Sequence, residues 1–274
     1  MSLPEGYAKR SFLEFDVPVD SRALLSEYES IPRESWLSSY WGRSHCSVGM
    51  MLLRGGSSGT EDDFWTEGEV RDHPYLAEMP AVRSLLNGPF GTATYAFIFR
   101  TRPDGVTLRH KDRAPVWQTM YRIHVPLITN DGAFLISGDR SLHLTTESAW
   151  TFDNGAEHGV VNGPVERVHL IFDVPFNPAL QGRLDTARYH RGVVVPEHLA
   201  RIDAVDQHAS TSYPGDIELR ARVTRERHAG RTDEQISQQL NADGIPTKRY
   251  FAGSGARDAW TAALLAETFG LSRR

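Results

Sequence analysis

Two hydrophobic patterns divide the chain. Between Thr92 and Val174, short apolar or alternating runs are broken by turn residues roughly every eight to twelve positions. The runs 93–100, 106–109, 121–129, 133–136, 141–145, 148–152, 159–161 and 167–174 read as strands. Pro103-Asp104-Gly105, Asn130-Asp131-Gly132, Ser137-Gly138-Asp139, Asp153-Asn154-Gly155 and Asn162-Gly163-Pro164 punctuate them. With no helical pattern between these strands, a β-sandwich or jelly roll is predicted and a parallel α/β sheet is not.

The flanks follow other rules. Residues 12–19 alternate as a strand, and Asp20-Ser21 caps a helix to about Ile31 that buries Leu24, Leu25 and Tyr28. A short aromatic stretch, 36–41, precedes a second strand at 47–53. The glycine-serine run 55–59 and the acidic, aromatic run 61–65 read equally as a lid or a solvated linker. Residues 75–86 read as helical, with Pro80 in the first turn of the main part and Asn87-Gly88-Pro89 as the stop. Pro175 closes the strand region, and the remainder is helical and polar, with helices expected at 196–202 and 216–228. Thr232-Asp233-Glu234-Gln235 is a capping box opening a helix through Asn241, Gly244-Ile245-Pro246 ends it, and a last helix covers about 256–269. The prediction is a mainly β jelly roll with N-terminal helices over 1–178 and a mostly helical extension over 179–274.

Composition narrows the function. The 274 residues are 40% hydrophobic, with six Trp and twelve Phe, enough for one large core. A net charge of -5 offers no basic field to nucleic acid. The single cysteine, Cys46, excludes an intrachain disulfide and a cysteine-rich zinc site. The N-terminus has no apolar leader and the chain has no run of 18 apolar residues, so a cytoplasmic protein with no membrane contact is expected.

The candidate chemistry lies in the strand region. His110 and Asp112 follow a strand two positions apart, so on an extended chain both face the same way. His158 holds a comparable place between a turn and a strand. Two imidazoles and one carboxylate form the facial ligand set of a non-haem iron site, which leaves positions open for O2 and a co-substrate. The strand from Tyr121 to Leu127 puts Arg122 and His124 on one face, and the strand from Arg167 to Phe172 does the same for Arg167 and His169. Arginines inside a jelly roll need carboxylate partners, supplied by neighbouring strands or by a bound dicarboxylate.

His110-x-Asp112, Arg122-x-His124, His158 and Arg167-Val168-His169-Leu170-Ile171-Phe172-Asp173-Val174 together resemble the aspartyl/asparaginyl β-hydroxylase family, including its small bacterial members similar to cis-proline hydroxylases. The resemblance spans about 93–174. It implies a double-stranded β-helix of the cupin-like type and an Fe(II)- and 2-oxoglutarate-dependent dioxygenase that uses O2. Such an enzyme hydroxylates an unactivated C–H bond and releases succinate and CO2. By position, His110, Asp112 and His158 would hold iron, Arg167 the distal carboxylate of 2-oxoglutarate, and Arg122 and His124 would help to hold the co-substrate. Retention of Asp112 favours hydroxylation over halogenation.

The substrate is expected to be an amino acid or an amino-acid-derived small molecule, free or carrier-bound. Residues to inspect for it are Arg43, His45, Arg54, Trp65, Arg113 and Trp117. Two other readings stand beside this one. A cupin-like metal-dependent isomerase would share the triad without needing Arg122 and Arg167. The segment 232–250 also resembles helix-turn-helix proteins, which suggests a ligand sensor with a C-terminal DNA-binding helix pair. Against that, residues 225–274 hold eight Lys/Arg and six Asp/Glu, too small an excess for phosphate contacts. Buttressing the barrel or forming a homodimer surface is the plainer role for those helices.

Overall fold

A computed structural model describes residues 9, 11–31, 37–38, 45, 47–56, 69–112, 115–211, 216–243 and 259–269. Arg43, Trp65, Arg113, most of the aromatic stretch 36–41, the 61–65 segment, the 244–246 stop and the start of the last predicted helix lie outside these. The chain divides into two compact units, Met1–Ser39 with Ser47–Val205, and Tyr40–Cys46 with Asp206–Arg274.

Fourteen strands are described in chain order. They are β1 (Leu13–Phe15), β2 (Leu37–Ser38), β3 (Val48–Gly55), β4 (Arg71–Asp72), β5 (Tyr95–Thr101), β6 (Val106–His110), β7 (Met120–Ile128), β8 (Phe134–Ser137), β9 (Arg140–Leu142), β10 (Ala149–Thr151), β11 (His158–Val161), β12 (Arg167–Pro175), β13 (Arg188–Tyr189) and β14 (Val193–Val194). The helices are α1 (Ser21–Glu29), α2 (Pro80–Leu86), α3 (Pro178–Thr186), α4 (Pro196–Thr211), α5 (Asp216–His228), α6 (Asp233–Ala242) and α7 (Ala262–Phe269).

One sheet runs β13-β1-β10-β7-β12-β5-β3-β2, with β4 beside β3, and the other runs β14-β9-β8-β11-β6. From β5 to β12 the chain passes back and forth between the sheets, the hairpin β8–β9 being the one consecutive pair within a sheet. Every pairing of named strands is antiparallel. This is a jelly roll of open sheets, with no closed barrel among the described residues. All eight strands expected between Thr92 and Val174 are present, shifted by one to three residues at their ends.

The larger sheet separates two kinds of interior. On one face, Tyr121, Ile123, Val125 and Leu127 of β7 and Val168, Leu170, Phe172 and Val174 of β12 join one hydrophobic cluster. Leu24 and Tyr28 of α1, Val82, Leu85 and Leu86 of α2 and Leu180 of α3 belong to the same cluster. Phe90 lies in it, its ring 4.9 Å from Phe15 and 5.9 Å from Phe172. Removing that much apolar surface from water is the main stabilisation here, about 25 cal/mol per Å². On the opposite face the period-2 pattern places Arg122, His124, Arg167, His169 and Asp173, all buried as well.

Several expectations change in detail. The strand expected over 12–19 stops at Phe15, whose carbonyl accepts from Val17 N–H in a tight turn ahead of Pro18. The 75–86 helix is split at Met79 into a 3-10 turn, Pro74–Glu78, and α2, which begins at Pro80. Helix α3 was not anticipated, although Asn177 caps it, accepting from Ala179 and Leu180 N–H, and Pro178 starts it. The short strands β13 and β14 extend one sheet each, so the 178/179 division read from the sequence falls inside the first unit. Helix α4 sets Ile202 against Gly159, where a Cβ would lie 2.8 Å from the Thr107 carbonyl and 3.1 Å from Ile202. Glycine is what allows that approach behind the paired strands β6 and β11.

In the second unit, α5, α6 and α7 share a small core of Leu219, Val223, Ile236, Leu240, Trp260, Leu264 and Leu265. Both halves of the Thr232–Gln235 capping box form. No helix of the described residues is long and apolar enough to cross a membrane.

Candidate metal centre

The antiparallel pairing of β6 with β11 sets His110 directly opposite His158. Their rings lie 4.3 Å apart at 50°, and His110 Nε2 is 3.8 Å from Asp112 Oδ1. One ligand atom from each of His110, Asp112 and His158 falls within 4.8 Å of the others. The histidine orientations are fixed locally. His110 Nδ1 lies 2.8 Å from the Leu108 carbonyl and His158 Nδ1 lies 2.9 Å from the Ala156 carbonyl. A carbonyl only accepts, so each Nδ1 carries the hydrogen and each Nε2 presents a lone pair to the common centre. Burial lowers the pKa of His110, and burial together with the neighbouring His110 brings His158 down to about 4, so both imidazoles are neutral at pH 7.

The carboxylate is equally constrained. Asp112 Oδ2 accepts from Arg122 Nη1 at 2.9 Å and from Asn154 Nδ2 at 2.8 Å. Oδ1 is left facing His110. Burial pushes this acid up, but Arg122, His158 and the Asn154 amide outweigh it and hold the pKa at about 2. Arg122 is itself shared, with Nε and Nη2 donating to Asp173 at 3.0 and 3.3 Å. Asp173 is 0% exposed, and burial raises it to about 6, still ionised beside its guanidinium at neutral pH. Trp117 lies over the guanidinium, 4.1 Å from ring centroid to carbon.

Behind the triad the lining becomes cationic and aromatic. Phe152 bridges His158 at 5.0 Å and His124 at 5.1 Å, and His124 lies 5.9 Å from His169. Arg167 Nη2 is 3.1 Å from His169 Nδ1. A guanidinium only donates, so His169 Nδ1 accepts and its proton sits on Nε2. That Nε2 and both nitrogens of His124 are buried with no hydrogen-bond partner. Among the described residues Arg167 meets no carboxylate, and burial lowers its pKa to about 9, leaving it a cation at pH 7.

This donor set fits the groups implied. Two neutral imidazoles and an ionised carboxylate suit a divalent transition metal. A buried cation beside an orphaned N–H donor lacks an anionic acceptor, and a carboxylate supplies one.

Not every residue named from the sequence gathers here. His110, Asp112 and His158 converge, and His124 and Arg167 line the region behind them. Arg122 reaches the triad and gives three N–H groups to Asp112 and Asp173, which engages it with the acid ligand. Arg54 is taken up elsewhere, by Asp72 at 2.6 Å, Asn87 at 2.9 Å and the Ala93 carbonyl at 3.2 Å. Trp117 is buried against Arg122. His45 is buried in the short stretch grouped with the second unit. Lys9, Asn154, Phe152 and Asp173 were not singled out. Only Asp173 carried a signal, since it shares a strand face with Arg167 and His169.

Residues 56–177 match the family model described as Aspartyl/Asparaginyl beta-hydroxylase. Among solved structures, a 2OG-Fe(II) oxygenase family oxidoreductase from Burkholderia pseudomallei is 11% identical at a TM-score of 0.42, covering 56% of this chain and 76% of that one. A prolyl-4-hydroxylase from Pseudomonas putida is 13% identical at 0.37, covering 61% and 94%. HygX from Streptomyces hygroscopicus, solved with nickel and 2-oxoglutarate, is 12% identical at 0.38, covering 60% and 82%. Over residues 56–177 the chain is therefore similar to the aspartyl/asparaginyl β-hydroxylase family.

Proposed function

We propose that the protein hydroxylates an unactivated C–H bond of an amino acid or amino-acid-derived small molecule, using Fe(II), O2 and 2-oxoglutarate and releasing succinate and CO2. The observation that carries this reading is the pairing of a convergent His110–Asp112–His158 set with a buried Arg167 that has no acid partner among the described residues. An isomerase that needs only the metal has no use for such a cation.

Fe(II) with 2-oxoglutarate, when bound, supplies the activation of O2 that hydroxylation requires. The chain's own groups supply position and charge. His110 and His158 would hold the metal through Nε2, each kept in the correct tautomer by the backbone carbonyl two residues before it. Asp112 would add the anionic ligand through Oδ1, with Arg122 and Asn154 restraining Oδ2 so that the carboxylate cannot rotate. Arg167 would anchor the distal carboxylate of 2-oxoglutarate, and the proton on His169 Nε2 would find its acceptor there. His124, whose ring neighbours are Phe152 and His169, would lie between anchor and metal, where it and Phe152 would keep bulk water from the region.

The test has two stages. Anaerobic addition of Fe(II) and 2-oxoglutarate should give a weak visible charge-transfer band, and its absence in metal-loaded protein would count against co-substrate binding. A screen of free amino acids and their derivatives, following succinate by mass spectrometry, then identifies the substrate. Turnover with none of them, free or carrier-bound, but with a peptide substrate would overturn the small-molecule assignment.

A further inference from the structure

Both supports of the acid ligand's outer oxygen lead to one side chain from the start of the chain. Lys9 Nζ donates to Asn154 Oδ1 at 2.6 Å and to the Trp117 carbonyl at 2.9 Å. Asn154 is 0% exposed and grips Asp112 twice, with its backbone carbonyl accepting from Asp112 N–H at 3.0 Å and its Nδ2 donating to Oδ2 at 2.8 Å. Trp117 covers the guanidinium of Arg122, the other donor to that same oxygen.

The chemistry of Lys9 decides which way the Asn154 amide points. An ammonium only donates, so the amide must turn its oxygen to Lys9, and its NH2 then faces Asp112. The flipped amide would set its oxygen against the carboxylate and its NH2 against the ammonium, losing two hydrogen bonds and gaining two like-polarity contacts. Local sequence does nothing of this kind, since Lys9 and Asn154 are 145 positions apart.

We infer that Lys9 is a positioning residue for the metal site. It fixes the Asn154 amide so that Asp112 keeps one oxygen tied back and the other free for the metal. This rests on the metal reading of His110, Asp112 and His158. Partners bonded directly to a metal ligand, as Asn154 is to Asp112, typically contribute about 10- to 100-fold in affinity, which bounds the share of Lys9.

The experiment is a Co(II) titration of the full chain, followed by the visible d–d spectrum, for wild type, Lys9→Met, Asn154→Ala, the double variant and His158→Ala. Circular dichroism checks that each is folded. Lys9→Met should bind Co(II) more weakly, by no more than the about 10- to 100-fold expected of Asn154→Ala, with an altered d–d envelope. The double variant should be no weaker than Asn154→Ala alone, because Lys9 acts through that amide. Equal affinity in Lys9→Met and wild type, or losses that add in the double variant, would overturn the inference while leaving the metal site standing. Absence of Co(II) binding to wild type, or unchanged binding in His158→Ala, would overturn the metal site and the inference with it. Should Lys9→Met not fold, Lys9→Arg replaces it. Retention of the d–d envelope by that donor-bearing variant would support the inference, and a changed envelope would overturn it.

Discussion

Two buried guanidiniums occupy the same face of the larger sheet and live under opposite rules. Arg122, on β7, stands directly across from Asp173 on β12 and also reaches Asp112. Arg167, at the head of β12, stands across from Thr101 on β5 and, among the described residues, has the ring nitrogen of His169 as its side-chain hydrogen-bond partner. The first is neutralised by the protein and acts as a strut. The second retains its charge in a buried site, an arrangement that costs free energy until an anion arrives. The register of one strand pair therefore separates a cation paired with acids from the one proposed to bind a co-substrate, although both come from the same alternating sequence pattern.

The sharpest way to test the division lies at the metal beside the strut. Replacing His158 by Ala is expected to abolish succinate formation, a loss of more than about a thousandfold, with circular dichroism unchanged. Retained turnover would remove the metal role from this end of the face. Arg122→Met comes next. It leaves Asp173 buried without its partner, so unfolding by urea should show a loss of about 3–5 kcal/mol. If Arg122→Met were as stable as the parent, the strut description would fail.

Acid probes the neutral histidines between the two cations. The folded pKa of His158 lies near 4 against an ordinary 6.5, so the unfolded chain takes up the proton first. Stability is then fully present above about pH 6.5 and lost as pH falls toward 4. One such group contributes about 3 kcal/mol. His124 and His169 are lowered in the same direction, chiefly by burial, and steepen the fall. Metal-free protein melted between pH 7 and 4.5 should show it, and a flat profile would argue that these rings are charged in the fold.

The smallest expected effect is also the most discriminating. Arg167→Met should raise the 2-oxoglutarate concentration needed for half-maximal turnover by on the order of 100-fold. The metal-free fold should be no less stable, and even more so, because an uncompensated buried charge is gone. A large loss of stability would mean that Arg167 serves the fold as Arg122 does.

Much of this was legible in the sequence because it depends on local order. Strand alternation and Gly, Asn and Asp turns gave all eight jelly-roll strands, since each signal lies within a few residues of what it specifies. The triad was legible for a related reason: His110 and Asp112 share an extended chain, and His158 sits at a strand start. What escaped depends on pairing. Arg122 and Arg167 cannot be told apart until Asp173 is known to face one and not the other. Lys9 and Asn154 meet only after folding, and Asn154 was already accounted for as a turn residue. Strands β13 and β14 have two residues each and exist only because β1 and β9 offer open edges.

The rung shared by His110 and His158 also bears on how the gene can vary. Side chains alternate faces along a strand, so gaining or losing one residue within β6 or β11 would rotate an imidazole away from its mate and dismantle the centre at a stroke. Strand β7 is under the same discipline, because a shift of one residue would turn Arg122 and His124 to the other face. Length variation among relatives should therefore crowd into the turns between strands and spare β6, β7 and β11.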